Sequence, residues 1–267
     1  MNHLELSSRF SILPVLSEII EKVREVSRKD IDFRAVTRLP TYASTKIARD
    51  RMERHVIYFR EDIVDRLSYI IAHECGHIIR MMEAPVEKRV VPGTSIRQRG
   101  ETIKALDISV DDHPIQLINM WIDGLVLQLT NLPVDIRIER WLNREYPGLS
   151  DEQQKGLSID AGKTLAGLSD EVRRITPPKI YQLSNSMTFA YLRGIGEITG
   201  ERYDREFYGY RSILSTGKTL YKIADSERDD FEGDLTIINR WAKILGLDTA
   251  FSWIDFEDMP ESYFDDV

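Results

Sequence analysis

Residues 69–79, Tyr-Ile-Ile-Ala-His-Glu-Cys-Gly-His-Ile-Ile, embed two imidazoles and a carboxylate in an otherwise apolar run. An apolar run of this length with helical periodicity predicts a buried helix, and burying His73, Glu74 and His77 together is costly unless something satisfies them. On a helix, two histidines four apart share one face, with their rings about one turn apart, so both reach a single tetrahedral metal ion at about 2.0–2.1 Å. Glu74 sits about 100° round from His73 and about 60° from His77, on the same side, where it can take a proton from a water that zinc activates. Cys75, about 200° from His73, faces away and is expected as a small buried hydrophobe rather than a ligand. The chain has five histidines, so placing two of them here is not the by-product of a histidine-rich composition.

Around this helix the periodicities predict an α+β fold in which helix dominates. Residues 12–28 carry Leu16, Ile19, Ile20, Val23 and Val26 at helical spacing. Residues 33–39 and 55–59 (HVIYF) are short, β-branched and aromatic, and are expected as strands, with a third strand or a loop between them. Asp62 is positioned to cap the helix that ends before Pro85. Residues 86–111, with Pro92, Gly93 and Gly100, are expected to be irregular. An apolar helix follows Pro114, and Asn131 and Pro133 are expected to break it before a second helix, VDIRIERWLNREY, that Pro147-Gly148 stops. Beyond residue 150 the chain is expected to be helical, with Pro177-Pro178 opening a helix that Gly200 closes and two more near 203–224 and 229–247. The expected organisation is residues 1–149 as the metal-bearing domain, 150–250 as a helical region, and 251–267 as an acidic, aromatic tail.

The chain of 267 residues carries a net charge of −8, a poor start for a non-specific nucleic-acid binder. That charge is uneven. Residues 225–267 hold thirteen acids against three bases, −10 in all, which leaves +2 for residues 1–224 and room for a local basic patch. No run approaches the roughly 18 apolar residues of a membrane span. The N-terminus shows no basic-then-apolar leader, and the single cysteine suits a reducing compartment, so a cytoplasmic protein is expected.

The segment YIIAHECGHII resembles the active-site helix of the zincin metallopeptidases, and HVIYF just upstream resembles the edge strand on which such enzymes align an extended substrate. The resemblance covers residues 30–145 at most. The metzincin continuation needs Gly at 80 and His at 83, where this chain has Arg80 and Glu83. The peptide deformylases take an upstream cysteine ligand, and there is no second cysteine. The gluzincin pattern remains, with a glutamate from a later helix. Asn131, Asp135 and Glu139 recur four apart. Glu139 is the chosen third ligand, with Asp135 orienting an imidazole, and these two roles can be exchanged. The alternative is an exposed stripe paired to Arg137 or Arg140. Two further residues compete. His113 could be a ligand or could stabilise an oxyanion, and Asp123, in an apolar helix, could accept from a ligand histidine or from an arginine. Tyr181, Tyr191, Tyr208 and Tyr210 are further candidate oxyanion donors.

The function implied is a zinc-dependent peptidase cleaving a narrow set of protein substrates, with Glu74 as general base. The chain is also loosely similar to bacterial metallopeptidases of the ImmA/IrrE kind, whose H-E-x-G-H helix matches Gly76, although residues 86–130 and the helical half lie outside that pattern. The alternative is a zinc-stabilised interaction or regulatory module with little catalysis. The acidic tail is expected to be solvated, with docking on the protein itself or on a partner as the competing possibility.

Overall fold

The computed structural model describes residues 1–259. Ten α-helices and five short strands make a helix-dominant α+β fold among them. Helix α1 (His3–Arg9) opens with a capping box in which Asn2 and Glu5 each satisfy the other's backbone N–H. Helix α2 (Val15–Ser27) buries Leu16, Ile19, Ile20 and Val23, the spacing that predicts it. Three strands follow: β1 (Asp30–Val36), β2 (Ala43–Lys46) and β3 (Arg54–Arg60). The strand order is β1-β3-β2, with β3 parallel to β1 and antiparallel to β2.

This order corrects one expectation. HVIYF is β3, the central strand, with His55, Val56, Ile57 and Phe59 all buried. The edges are β1 and β2, and β2 comes from the polar stretch that left strand or loop open. A strand with both neighbours paired has no free N–H or C=O row to offer, so such rows belong to the outer strands, β1 and β2.

Helix α3 (Leu67–Glu83) carries the HECGH motif and packs against α2, β2 and β3. It starts four residues later than an Asp62 cap requires. Asp62 instead pairs with Arg60, and the cap position, Arg66, supplies no side-chain bond. The first turn is satisfied from a distance: the Glu152 carboxylate accepts from the Tyr69 N–H at 2.9 Å and from the Ser68 hydroxyl at 3.2 Å. An anion beside the first-turn N–H groups does the work of a local cap and also favours the helix dipole.

The region expected to be irregular holds a 3-10 turn at Val86–Lys88, strand β4 (Val90–Gly93) and helix α4 (Ile96–Ala105). Ser95 and Gln98 form a capping box there, a signature present in the sequence but obscured by the neighbouring glycines and proline. Helix α5 (Ile115–Glu145) runs unbroken through Pro133. A proline inside a helix costs about 3 kcal/mol. Leu125 and Leu129 before it and Ile136, Ile138 and Leu142 after it are all buried, Ile136 against Gly194 and Ile138 against Gly76, and each such side chain contributes about 1.5–3 kcal/mol.

After a 3-10 turn at Pro147–Leu149 come α6 (Ser150–Leu165), α7 (Asp170–Ile175) and α8 (Pro178–Thr199), which Gly200 closes in the left-handed region at φ 76°. A 3-10 turn at Tyr203–Phe207 precedes α9 (Arg211–Ser226) and α10 (Phe231–Leu245). Strand β5 (Ser252–Asp255) pairs with β4. Residues 251–259 are therefore not a solvated tail. Phe251, Phe256 and Met259 are buried, the Phe256 N–H donates to the Arg89 carbonyl at 3.0 Å, and Arg49 donates to the Met259 carbonyl. The last acids and aromatics of that segment, residues 260–267, lie outside the described residues.

The chain divides into two compact units. Among the described residues, the first comprises 1–91, 138–157 and 254–259, and the second 92–137 and 158–253. The first is built on the sheet with α2 and α3. The second is largely helical, with α8 and α9 at its centre and Trp241 of α10 fully buried, its indole N–H donating to the Leu220 carbonyl at 2.9 Å. Among the described residues no helix is long and apolar enough to cross a membrane.

Candidate metal centre

Helix α3 places its side chains as the motif predicts. Ile70, Ile71, Ala72, Cys75, Ile78 and Ile79 are buried, and His73, Glu74 and His77 are half-buried on the remaining face. Cys75 has no exposed surface, and burial, with the Glu74 charge nearby, pushes its thiol up and keeps it protonated. Gly76 has a separate steric role: a Cβ there would come within 2.7 Å of Ile138 Cγ2, so the glycine lets α5 lie directly on α3.

The rings of His73 and His77 meet edge to face, and their Nε2 atoms are 3.2 Å apart. Two ligands at about 2.0–2.1 Å from a tetrahedral ion lie about 3.3 Å from each other. The two nitrogens are thus already spaced as a shared metal requires. Asp135 offers the third donor: one ligand atom from each of His73, His77 and Asp135 lies within 4.8 Å of the others.

Glu139 is placed otherwise. It is 1% exposed, and both carboxylate oxygens are engaged. Oε1 accepts from His73 Nδ1 at 2.6 Å and from the Tyr69 hydroxyl at 2.8 Å, and Oε2 accepts from Gln153 Nε2 at 2.7 Å. A carboxylate on Nδ1 fixes the tautomer with its lone pair on Nε2, the nitrogen that faces His77. The choice of Glu139 as third ligand is therefore corrected in favour of the exchanged arrangement, with Asp135 in the donor group and Glu139 behind His73. Both lie on α5, one turn apart, and spacing alone cannot tell them apart.

Arg137, a possible counter-charge for that stripe, turns elsewhere. It is buried against Asp234 at 3.0 Å and donates to the Glu227 carbonyl at 2.8 Å. Asp123 is half exposed and pairs with Arg99 at 2.6 Å, the arginine alternative, and not with a ligand histidine. His113 packs edge to face on Trp121 and is absent from the donor group. The Tyr181 and Tyr210 hydroxyls donate to the Leu168 carbonyl, and the Tyr208 hydroxyl accepts from Arg202.

Three residues at the centre were not singled out by sequence. Tyr69 stands one turn before His73, an interval that could have flagged it. Gln153 comes from α6, where Gly156 leaves room for the Tyr69 ring. Thr45 comes from the edge strand β2, and its hydroxyl donates to Glu74 Oε2. The last two are joined to the site only by the fold.

No protein-family model, curated protein or solved structure matches the chain.

Proposed function

We propose that this protein is a zinc-dependent peptidase acting on a narrow set of protein substrates. The observation that carries the proposal is the donor group of His73, His77 and Asp135, with Nε2 atoms 3.2 Å apart and a carboxylate outside that group, Glu74, next to the first ligand. Two imidazoles and one carboxylate are a zinc hydrolase's donor set, which leaves a position open for substrate and water. A structural zinc site would be closed by a fourth protein ligand, and the donor group offers three.

Zinc, when bound, supplies a Lewis acid that polarises a carbonyl and makes water a better nucleophile. The protein's own side chains do the rest. Glu139 holds His73 through Nδ1, so that imidazole presents Nε2 without rearrangement. Glu74 takes the proton of the attacking water and returns it to the departing amine. The Thr45 hydroxyl occupies Glu74 Oε2 and leaves Oε1 for that proton. Strand β2, with one edge paired to β3, has its other edge available to align an extended peptide beside Glu74.

Elemental analysis together with one variant tests this. Wild type and Glu74→Gln should each hold one zinc per chain. The variant should lose hydrolysis by about 10²–10⁴-fold and retain bound substrate, while His77→Ala should lose both metal and activity. Absence of stoichiometric zinc from the purified protein ends the proposal. Stoichiometric zinc in a wild type that leaves the proteins captured by Glu74→Gln uncut would favour a zinc-stabilised interaction module instead.

A further inference from the structure

The outer face of α9 carries a charge pattern that the metal centre does not use. Ser215, Lys218, Thr219 and Lys222 recur at i, i+3, i+4 and i+7 and share one face, while Ile213, Gly217, Leu220 and Ala224 make the buried one. The polar face lines a cavity of about 850 Å³ whose other walls include Arg193 of α8, with Arg202, Asp204 and Tyr208 of the connection to α9.

Four cations line this cavity against one carboxylate. That carboxylate, Asp204, is already engaged: Arg202 donates to both of its oxygens, at 2.9 and 3.1 Å, and this hydrogen-bonded arginine holds the acid below its usual range. Arg193 comes no nearer than 3.7 Å to Asp204 and lies against the Tyr221 ring. At the rim, Glu197 accepts from the Tyr221 hydroxyl. Lys218 and Lys222 form no ion pair among the described residues, although they stand one helical turn apart, where like charges repel. A solvated helix face ordinarily mixes signs at that spacing. Here four cations share a single carboxylate in a concavity, which focuses their field, on a chain whose net charge is −8.

The donors converge from α8, from the turn and from α9, and they are cations and hydroxyls. A phosphate, with two negative charges and acceptor oxygens on every side, answers that set better than a planar, singly charged carboxylate does. The volume lies within the roughly 300–1,000 Å³ of small-molecule sites, and the exposed Tyr208 ring flanks the cavity. We propose that this groove binds a phosphorylated small molecule of nucleotide size, its phosphates on Arg193, Lys218 and Lys222. The inference is independent of the zinc reading.

Calorimetric titration of the full chain at low salt tests it, with pyrophosphate, ADP and adenosine as probes. Pyrophosphate and ADP should each bind one per chain, more weakly as salt is raised, and adenosine should not bind. The double variant Lys218→Glu/Lys222→Glu should weaken both by about tenfold or more, with a smaller loss for Lys218→Gln/Lys222→Gln and none for Lys104→Glu on α4. Titrating His77→Ala should return the wild-type affinity, which separates the groove from the metal centre. The proposal is overturned if neither phosphate binds, if binding is indifferent to the lysine pair, or if it disappears in His77→Ala. A poly-glutamate peptide or a single-stranded oligonucleotide binding about tenfold tighter than ADP would also overturn it.

Discussion

Helices α3 and α9 carry the same sequence rhythm and put it to opposite uses. On α3, Tyr69, His73 and His77 recur at four-residue intervals, and on α9, Ser215, Lys218, Thr219 and Lys222 recur at three and four. The α3 stripe turns inward, and the carboxylate behind it is held at three points by Tyr69, His73 and Gln153. The α9 stripe turns outward, and its two lysines have no ion pair among the described residues. Periodicity locates a functional face in either case. Burial and the supply of opposite charge decide whether that face is a rigid centre or an open, electrostatic one.

The largest expected effect follows from removing the charge behind the inward stripe. Glu139→Leu removes the carboxylate that accepts from the Tyr69 hydroxyl, His73 Nδ1–H and the Gln153 amide, and Gln153 keeps the Glu139 backbone carbonyl. Breaking a buried, multiply bonded charge in this way costs about 3–5 kcal/mol. Urea unfolding of the metal-free protein should show that loss, and zinc affinity should fall about 10–100-fold. Lys218→Glu/Lys222→Glu, by contrast, should unfold within about 0.5 kcal/mol of wild type, because both side chains are exposed and form no ion pair among the described residues. A Glu139→Leu midpoint equal to that of the lysine variant would erase the distinction between the two stripes.

The same contrast explains how much was legible beforehand. His73, Glu74 and His77 were readable because their spacing is short and local, and so were the core face of α2 and the extents of α8 and α10. The exchange of Asp135 and Glu139 was not, because both share one face of α5 and only tertiary contacts distinguish them. Nor was the continuity of α5 through Pro133, where burial on both sides outweighs a local breaker. Strand β2, Ala-Ser-Thr-Lys, lacks the hydrophobicity of a typical strand, since an edge needs less of it, and HVIYF, which resembles a zincin edge strand, fills the centre instead. Thr45 and Gln153 had no signal at all. They are ordinary residues until the fold brings them to Glu74 and Glu139.

A third histidine in the first unit sharpens the comparison within one residue type. His55 lies on the central strand with no exposed surface, and its Nδ1 accepts from the Ala48 N–H at 2.9 Å. Burial, and secondarily the charge of Lys29, lowers its pKa to about 4 from 6.5. The fold therefore favours the neutral ring, and protonation would set a second donor against the Ala48 N–H. A depressed folded-state pKa gives stability that is complete above the unfolded value and lost as pH falls. The window runs from about 6.5 down to about 4, and the loss is roughly 3 kcal/mol. Urea unfolding at pH 7 and pH 4 should show a smaller decline for His55→Gln than for wild type, and parallel declines would remove His55 as the cause.

The smallest effect is the most local. Thr45→Val replaces a hydroxyl with a methyl of nearly the same size on an edge strand, so stability and zinc content should be unchanged. Glu74, however, loses the donor that holds Oε2, and a general base that samples more orientations is in position for less of the time. Against the substrate captured by Glu74→Gln, kcat should fall about tenfold with KM little altered, because the hydroxyl touches the base and not the peptide. Thr45→Ser keeps the donor and should recover most of the rate. If valine and serine behaved alike, strand β2 would be contributing its backbone edge alone, and the centre would be confined to α3 and the helices behind it.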